Sequence, residues 1–147
     1  MVLAQPLGLN EYLRAMQVLQ DIASEEDVAL LVRTFYGKVR QDALLGPIFN
    51  EIIQDWERHL DHLTIFWSSN LFFSKKYHGD PLQKHVEVDR HFHGTINEMH
   101  FGVWLNLWFE TIDQLFEGET AHVAKSRARN MGTFIHLKIF EARTKKD

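Results

Sequence analysis

Val28, Leu31, Val32, Phe35, Tyr36 and Val39 recur at i, i+3, i+4 and i+7, the spacing of one face of an α-helix. Ser24, with Asp27 three residues on, reads as a capping box built with the shorter acid. Glu25, Glu26 and Asp27 also place negative charge where the helix macrodipole favours it. So wide an apolar stripe has to be covered by other elements, and the same period returns along the chain. Asp55 reads as the cap of a helix burying Trp56, His59, Leu60, Leu63, Phe66, Trp67 and Leu71. Thr95 or Asn97 opens a helix with Met99 or His100, Val103, Trp104, Leu107, Trp108, Thr111 and Leu115 on one side. A last helix from Thr120 carries Val123, Ala124, Arg127, Ala128, Met131, Phe134, Ile135 and Leu137. Pro47 starts a short helix with Ile48, Phe49, Ile52 and Ile53. No stretch reads convincingly as a strand, so the pattern predicts an all-α protein.

The boundaries follow from where the strong stripes begin. Residues 24–147 read as one domain, preceded by an extension over 1–23. Within that extension Leu9, Leu13, Met16 and Leu19, with Tyr12, form a modest stripe, read either as a docked helix or as a mobile extension.

Composition removes several classes of function. The chain has no cysteine, which excludes disulfides, thiolate zinc sites, cysteine-ligated clusters and covalent attachment of a c-type haem. A metal must be held by histidines and carboxylates or arrive inside a cofactor. A net charge of −4 gives no electrostatic case for nucleic acid. No apolar run approaches a membrane span and no signal-peptide pattern is present, which predicts a cytoplasmic protein. Eleven phenylalanines and four tryptophans are enough to line a pocket for a flat cofactor, although large aromatic cores are commoner.

The chemistry-bearing stretch is YHGDPLQKH, from Tyr77 to His85. Gly79-Asp80-Pro81 is a turn, Pro81 opens a short helix, and Asp80 is its N-cap. His85 lies one turn in, beside apolar Leu82, Val86 and Val88, where an axial haem ligand would stand. The plainer reading is a histidine with no ligand role. Tyr36 is either bonded to a backbone carbonyl or aimed into a pocket. His91 and His93, in a polar segment after Asp89, are a possible chelate or a solvated surface pair. A non-haem metal site drawing on His85, His91, His93 and His100 stays open, as does a helical interaction module whose aromatics are plain core.

Several motifs occur together and in order: FYGKVRQDALLGPIF (Phe35 to Phe49), DWERHL (Asp55 to Leu60), FWSSNL (Phe66 to Leu71), YHGDPLQKH, MHFGVWLNLWFETI (Met99 to Ile112) and RARNMGTF (Arg127 to Phe134). With them the chain resembles the group III truncated haemoglobins over roughly residues 24–140. The lack of any Gly-Gly pair fits, since such pairs mark the other truncated groups. The resemblance implies a two-on-two helical sandwich holding non-covalent haem b, with His85 as the iron ligand. It implies Tyr36, His59 and Trp104 around the bound ligand, in a pocket lined by Phe35, Phe49, Leu63, Phe66, Trp67, Tyr77, Leu82 and Trp108. Its partners would be diatomic gases and a redox partner such as a reductase, acting on a monomer or weak homo-oligomer. Nitric oxide dioxygenase-like, peroxidase-like and electron-transfer activities all belong to what such a protein does. The extension and the histidine-rich VEVDRHFHGTIN depart from the pattern.

A globin site needs one neutral imidazole below the iron and an open position above it. The Pro81 carbonyl is the expected partner of the second ring nitrogen of His85, with Asp89 as a rival. His62, one turn after His59, is expected nearer the rim, and His59 itself as a gate for ligand entry. Two donors, Tyr36 and Trp104, each adding about 1.5–3 kcal/mol, would hold bound oxygen tightly. Release slowed about a hundredfold or more makes a poor carrier, which favours oxygen or nitric oxide chemistry over transport.

Overall fold

The structure is a computed structural model that describes residues 5–6, 8–16, 18–73 and 79–144. Among these residues every regular element is an α-helix: α1 (Leu9–Ala15), α2 (Glu25–Gln41), α3 (Gly46–Ile52), α4 (Trp56–Phe72), α5 (Pro81–His91), α6 (Glu98–Leu115) and α7 (Glu119–Thr144).

The helix starts are set by short-range chemistry. Ser24 Oγ accepts the Asp27 N–H at 3.1 Å, while the Asp27 carboxylate reaches back to the Ala23 N–H at 2.9 Å. The reciprocal bond of a capping box thus lands one residue earlier than expected. Asp55 and Asp80 cap α4 and α5 through the N–H groups of Arg58 and Gln83, each at 3.1 Å. At α6 the cap is Asn97, and His100 completes a capping box by accepting the Asn97 N–H at 3.0 Å.

The start of α7 is capped from far away in sequence. The Asp21 carboxylate accepts the Thr120 and Ala121 N–H groups, both at 2.8 Å. Gly118 just before it has φ 149°, and a Cβ there would lie 2.4 Å from Asp21 Cγ, so only glycine fits. Ile22 follows Asp21 into the core with 2% exposure. The segment at 21–22 is therefore tied to the bundle, whereas Leu9 and Tyr12 of α1, and Met16 just after it, are turned to solvent. Seven residues are too few to hold a helix by backbone bonding alone.

Two helix pairs make the sandwich. α2 packs on α4, α6 packs on α7, and α2 lies across α6. Their shared core joins Val28, Leu31, Val32, Phe35 and Val39 of α2 to Trp67, Trp108, Ile112, Ala124 and Ala128. Burying each large side chain stabilises by about 1.5–3 kcal/mol. The core face of α7 runs through Ala121, Ala124, Ala128, Ile135 and Ile139. Phe134 and Leu137, expected on it, lie off that line and are exposed, as is Met99 on α6.

α5 is held separately. A smaller cluster of Val86, Ile96, Ile135 and Ile139 fixes it to α7, and it has no extensive contact with α4. Asp89, 3% exposed, receives Arg143 Nη2 at 2.6 Å and Nε at 2.9 Å, and also the Ile96 N–H at 3.1 Å. With so little contact, a gap separates α4, which carries His59, from α5, which carries His85.

Candidate functional site

Pro81 at the first helical position and Asp80 before it fix the start of α5, so His85 falls on the first full turn. Its Nδ1 lies 2.5 Å from the Pro81 carbonyl oxygen, which can only accept, so Nδ1 carries the proton. The lone pair is then on Nε2. Desolvation pushes the His85 pKa down, the Pro81 bond opposes this, and the net shift is downward. The residue as a whole is nevertheless exposed. At neutral pH it is an uncharged imidazole with one free nitrogen. Asp89 is not its partner, because that carboxylate is spent on Arg143 and Ile96.

Across the gap stands His59 on α4, half-buried, with its ring edge-on to Tyr36 at 6.0 Å and to Trp56 at 5.8 Å. Its pKa falls to about 4, first through desolvation and then through repulsion by His62, Lys84 and His85.

Tyr36, on α2, is 6% exposed and is caged by Phe35, Phe49, Trp56 and His59 at centroid distances of 4.8–6.0 Å. Burial raises its pKa, and a hydrogen bond from the Trp104 side chain works against that rise. An indole nitrogen only donates, so Trp104 Nε1–H gives its proton to the Tyr36 hydroxyl oxygen. Both alternatives weighed for Tyr36 meet here. The oxygen has a structural partner, but a side chain rather than a backbone carbonyl, and the phenol keeps its own proton to give.

The remaining aromatics fall into two layers. Trp104 lies parallel to Trp108 at 6.2 Å and 2°, and Trp108 stacks on Trp67 at 4.5 Å. Trp108 and Phe35 have no exposed surface, Trp67 has 2%, and the Trp108 N–H is given to the Ala124 carbonyl at 3.2 Å. These three belong to the buried core. Phe49, Leu63 and Phe66 are partly buried and pack against the same core. Tyr77 lies outside the described residues, and of Leu82 only the backbone is described. Trp56 belongs with the site, since it touches both Tyr36 and His59 and carries the Arg40 guanidinium over its ring at 4.4 Å. Its place one turn before His59 was the only signal of this in the sequence.

The non-haem ligand set does not assemble. His100 is used in the α6 cap, and His91 Nε2 lies 3.5 Å from Glu51. His93 sits in the left-handed region at φ 59° in the turn after α5. Among the described residues no three histidine, aspartate or glutamate side chains converge as a metal cluster requires. No described helix is long and apolar enough to cross a membrane.

No family model matches the sequence. Individual proteins do. The group 3 truncated hemoglobin ctb of Campylobacter jejuni is 30% identical over 122 residues, spanning 80% of this chain and 92% of that protein. The crystal structure of the group III truncated hemoglobin from Campylobacter jejuni superposes with a TM-score of 0.73, covering 82% of this chain and 94% of that one. Identity, coverage and the two-on-two arrangement agree: the chain belongs to the group III truncated haemoglobins.

Proposed function

We propose that this globin binds haem b non-covalently through His85 Nε2 and takes diatomic gases under Tyr36, Trp104 and His59, for oxygen or nitric oxide chemistry rather than bulk transport. One observation carries the reading. The Pro81 carbonyl fixes the tautomer of His85 and leaves a neutral nitrogen lone pair, while His59, which senses the charge of His85, packs edge-on against Tyr36. A neutral imidazole held by a backbone carbonyl on its far nitrogen is the donor that an axial site requires.

Haem, when bound, supplies an iron that takes small gases. The chain supplies everything that discriminates among them. Tyr36, accepting from Trp104, is polarised towards donating its own proton, since chained hydrogen bonds strengthen one another. The aromatic cage keeps water from competing for that proton. A partly negative ligand such as oxygen is therefore favoured over carbon monoxide, and a ligand so held is released slowly. His59, neutral at pH 7, adds a movable side chain at the open side.

Absorption spectra of the haem-loaded protein, oxidised, reduced and with carbon monoxide, test the reading. A Soret band lost in His85→Gly and restored by added imidazole is the expected result. An unchanged spectrum in that variant overturns the assignment of His85.

A second reading, peroxidase-like chemistry, rests on His59 alone. A pKa of about 4 leaves this imidazole free to accept a proton at neutral pH. If the reaction with peroxide is as fast in His59→Leu as in the wild type, that reading fails.

A further inference from the structure

The histidine-rich segment VEVDRHFHGTIN, which departs from the family pattern, lends no side chain to the site described above. Five of its residues, Val86, Asp89, Arg90, His93 and Gly94, instead join Ala142 and Arg143 of α7 around a recess of about 250 Å³. Its walls are α5, the turn after it and α7, with neither His85 nor any residue of α4 among them. The turn shapes it: His93 at φ 59° and Gly94 at φ 73° reverse the chain directly after α5 and bring Ile96 back to Asp89.

The charges of this lining do not cancel. Asp89 is fully used, its Oδ1 accepting from the Ile96 N–H and Arg143 Nη2 and its Oδ2 from Arg143 Nε. Arg143 Nη2 also donates to the Ile96 carbonyl, which among the described residues leaves Nη1 unused. Arg90 is exposed, and among the described residues no carboxylate, including those of Glu87 and Glu141, lies within ion-pair distance of it. Two arginines against one carboxylate leave a positive charge in excess, beside an apolar wall of Val86 and Ala142. Arg90 and Arg143 stand in the last turns of α5 and α7, where a cation also suits the helix dipole, but that role needs no recess.

We propose that the recess between α5 and α7 binds a small organic carboxylate, its carboxyl group on Arg90 and Arg143 Nη1 and its apolar part against Val86 and Ala142. A concave site with an apolar wall and a few placed charges is how proteins take small molecules, and charge-assisted hydrogen bonds supply the selectivity. Size agrees, since a cavity of about 150 Å³ already takes a benzene ring. The larger recess has room for a ring and a carboxyl group. The site goes beyond the haem reading and does not depend on it.

The test is calorimetric titration of the haem-loaded full chain with benzoate, under carbon monoxide so that the iron is closed to the carboxylate. Saturable binding at millimolar benzoate or below is expected. Arg90→Glu should weaken it about tenfold or more, and because Arg90 is exposed this variant tests the charge without disturbing the packing. Ala142→Leu should abolish it by filling the recess. Benzyl alcohol, the same ring without the charge, should bind at least about tenfold more weakly. Arg129→Glu makes the same charge change where α7 passes Phe109, roughly 20 Å along the helix, and should leave the affinity unchanged. Absence of saturable binding overturns the proposal, as does equal affinity for benzyl alcohol. Unchanged affinity in Arg90→Glu places the benzoate elsewhere and overturns it too. Absence of a Soret band in the wild type would overturn the haem reading alone, and the same titration of the haem-free chain would still decide this one.

Discussion

Trp104 donates its indole N–H to the Tyr36 hydroxyl, so the two residues form one relay and not two separate donors. Tyr36→Phe hardly changes volume and removes the terminal donor, and it should speed oxygen dissociation by about ten- to a hundredfold. Trp104→Phe removes only the support and should have a smaller effect, about threefold to tenfold. The double variant should match Tyr36→Phe alone, because the relay is already broken at its end. Carbon monoxide should respond much less. Stopped-flow ligand replacement measures all four; additive effects of the two substitutions would show that each donor acts independently.

His59 makes no hydrogen bond to Tyr36 and meets it only through its ring edge, at 6.0 Å. His59→Leu is therefore expected to change gas association severalfold and dissociation little. Flash photolysis with carbon monoxide reads the first directly. Conversion of a low-spin ferric spectrum to high-spin in this variant would mean that His59 had been an iron ligand and not a gate.

His59 and His85 both have folded-state pKa values below the ordinary histidine value of 6.5, that of His59 at about 4. The folded haem-free protein thus binds fewer protons than the unfolded chain between these limits, and stability rises with pH there. Their contribution is fully present above pH 6.5 and is lost as pH falls from 6.5 towards 4. Urea midpoints of the haem-free protein should drop across this window, and His59→Gln should flatten the drop. An equally steep fall in the variant would assign it to other groups.

Asp21 joins residues 21–22 to the start of α7, and its pKa is lowered because bonds from the Thr120, Ala121 and Ile22 N–H groups outweigh the upward push of desolvation. Asp21→Ala should cost about 1–2 kcal/mol, the usual worth of a helix cap. Gly118→Ala should also destabilise, through its φ of 149° and the 2.4 Å approach to Asp21. Denaturant unfolding at pH 7 measures both. The stabilising effect of Asp21 belongs to its charged form, so the deficit of the alanine variant should shrink as pH falls through the lowered pKa. A cap worth the same at all pH values would exclude the carboxylate charge as its source.

Asp89→Asn weakens the clamp between α5 and α7 and should cost about 1.5–3 kcal/mol by the same measurement. Because Asp89 does not touch His85, the haem spectrum should stay as in the wild type. A shifted spectrum would mean that the clamp governs how His85 is held.

Interactions confined to a few neighbouring residues were legible in the sequence. The Ser24, Asp55, Asp80 and Asn97 caps, the α2 stripe from Val28 to Val39, and the bond from His85 to the Pro81 carbonyl each span at most fifteen residues of chain. Helical geometry alone brings such residues together, so spacing and residue type decide the outcome. What the polar ends of long side chains bind is set by elements far apart in sequence, and periodicity carries no information about it. Trp104 and Trp108 lie one turn apart on the same helix and read alike, yet the first gives its N–H to Tyr36 and the second to the Ala124 carbonyl. Asp89 and His100 looked available for the site until Arg143 and the Asn97 N–H claimed them. Phe134 and Leu137 fitted a helical stripe, but the bundle chose the alanine line of α7, where small side chains allow closer approach to α6 and α4. Burial favours a partner for a buried polar group, and the packing of α2, α4, α6 and α7 determines which partner is within reach.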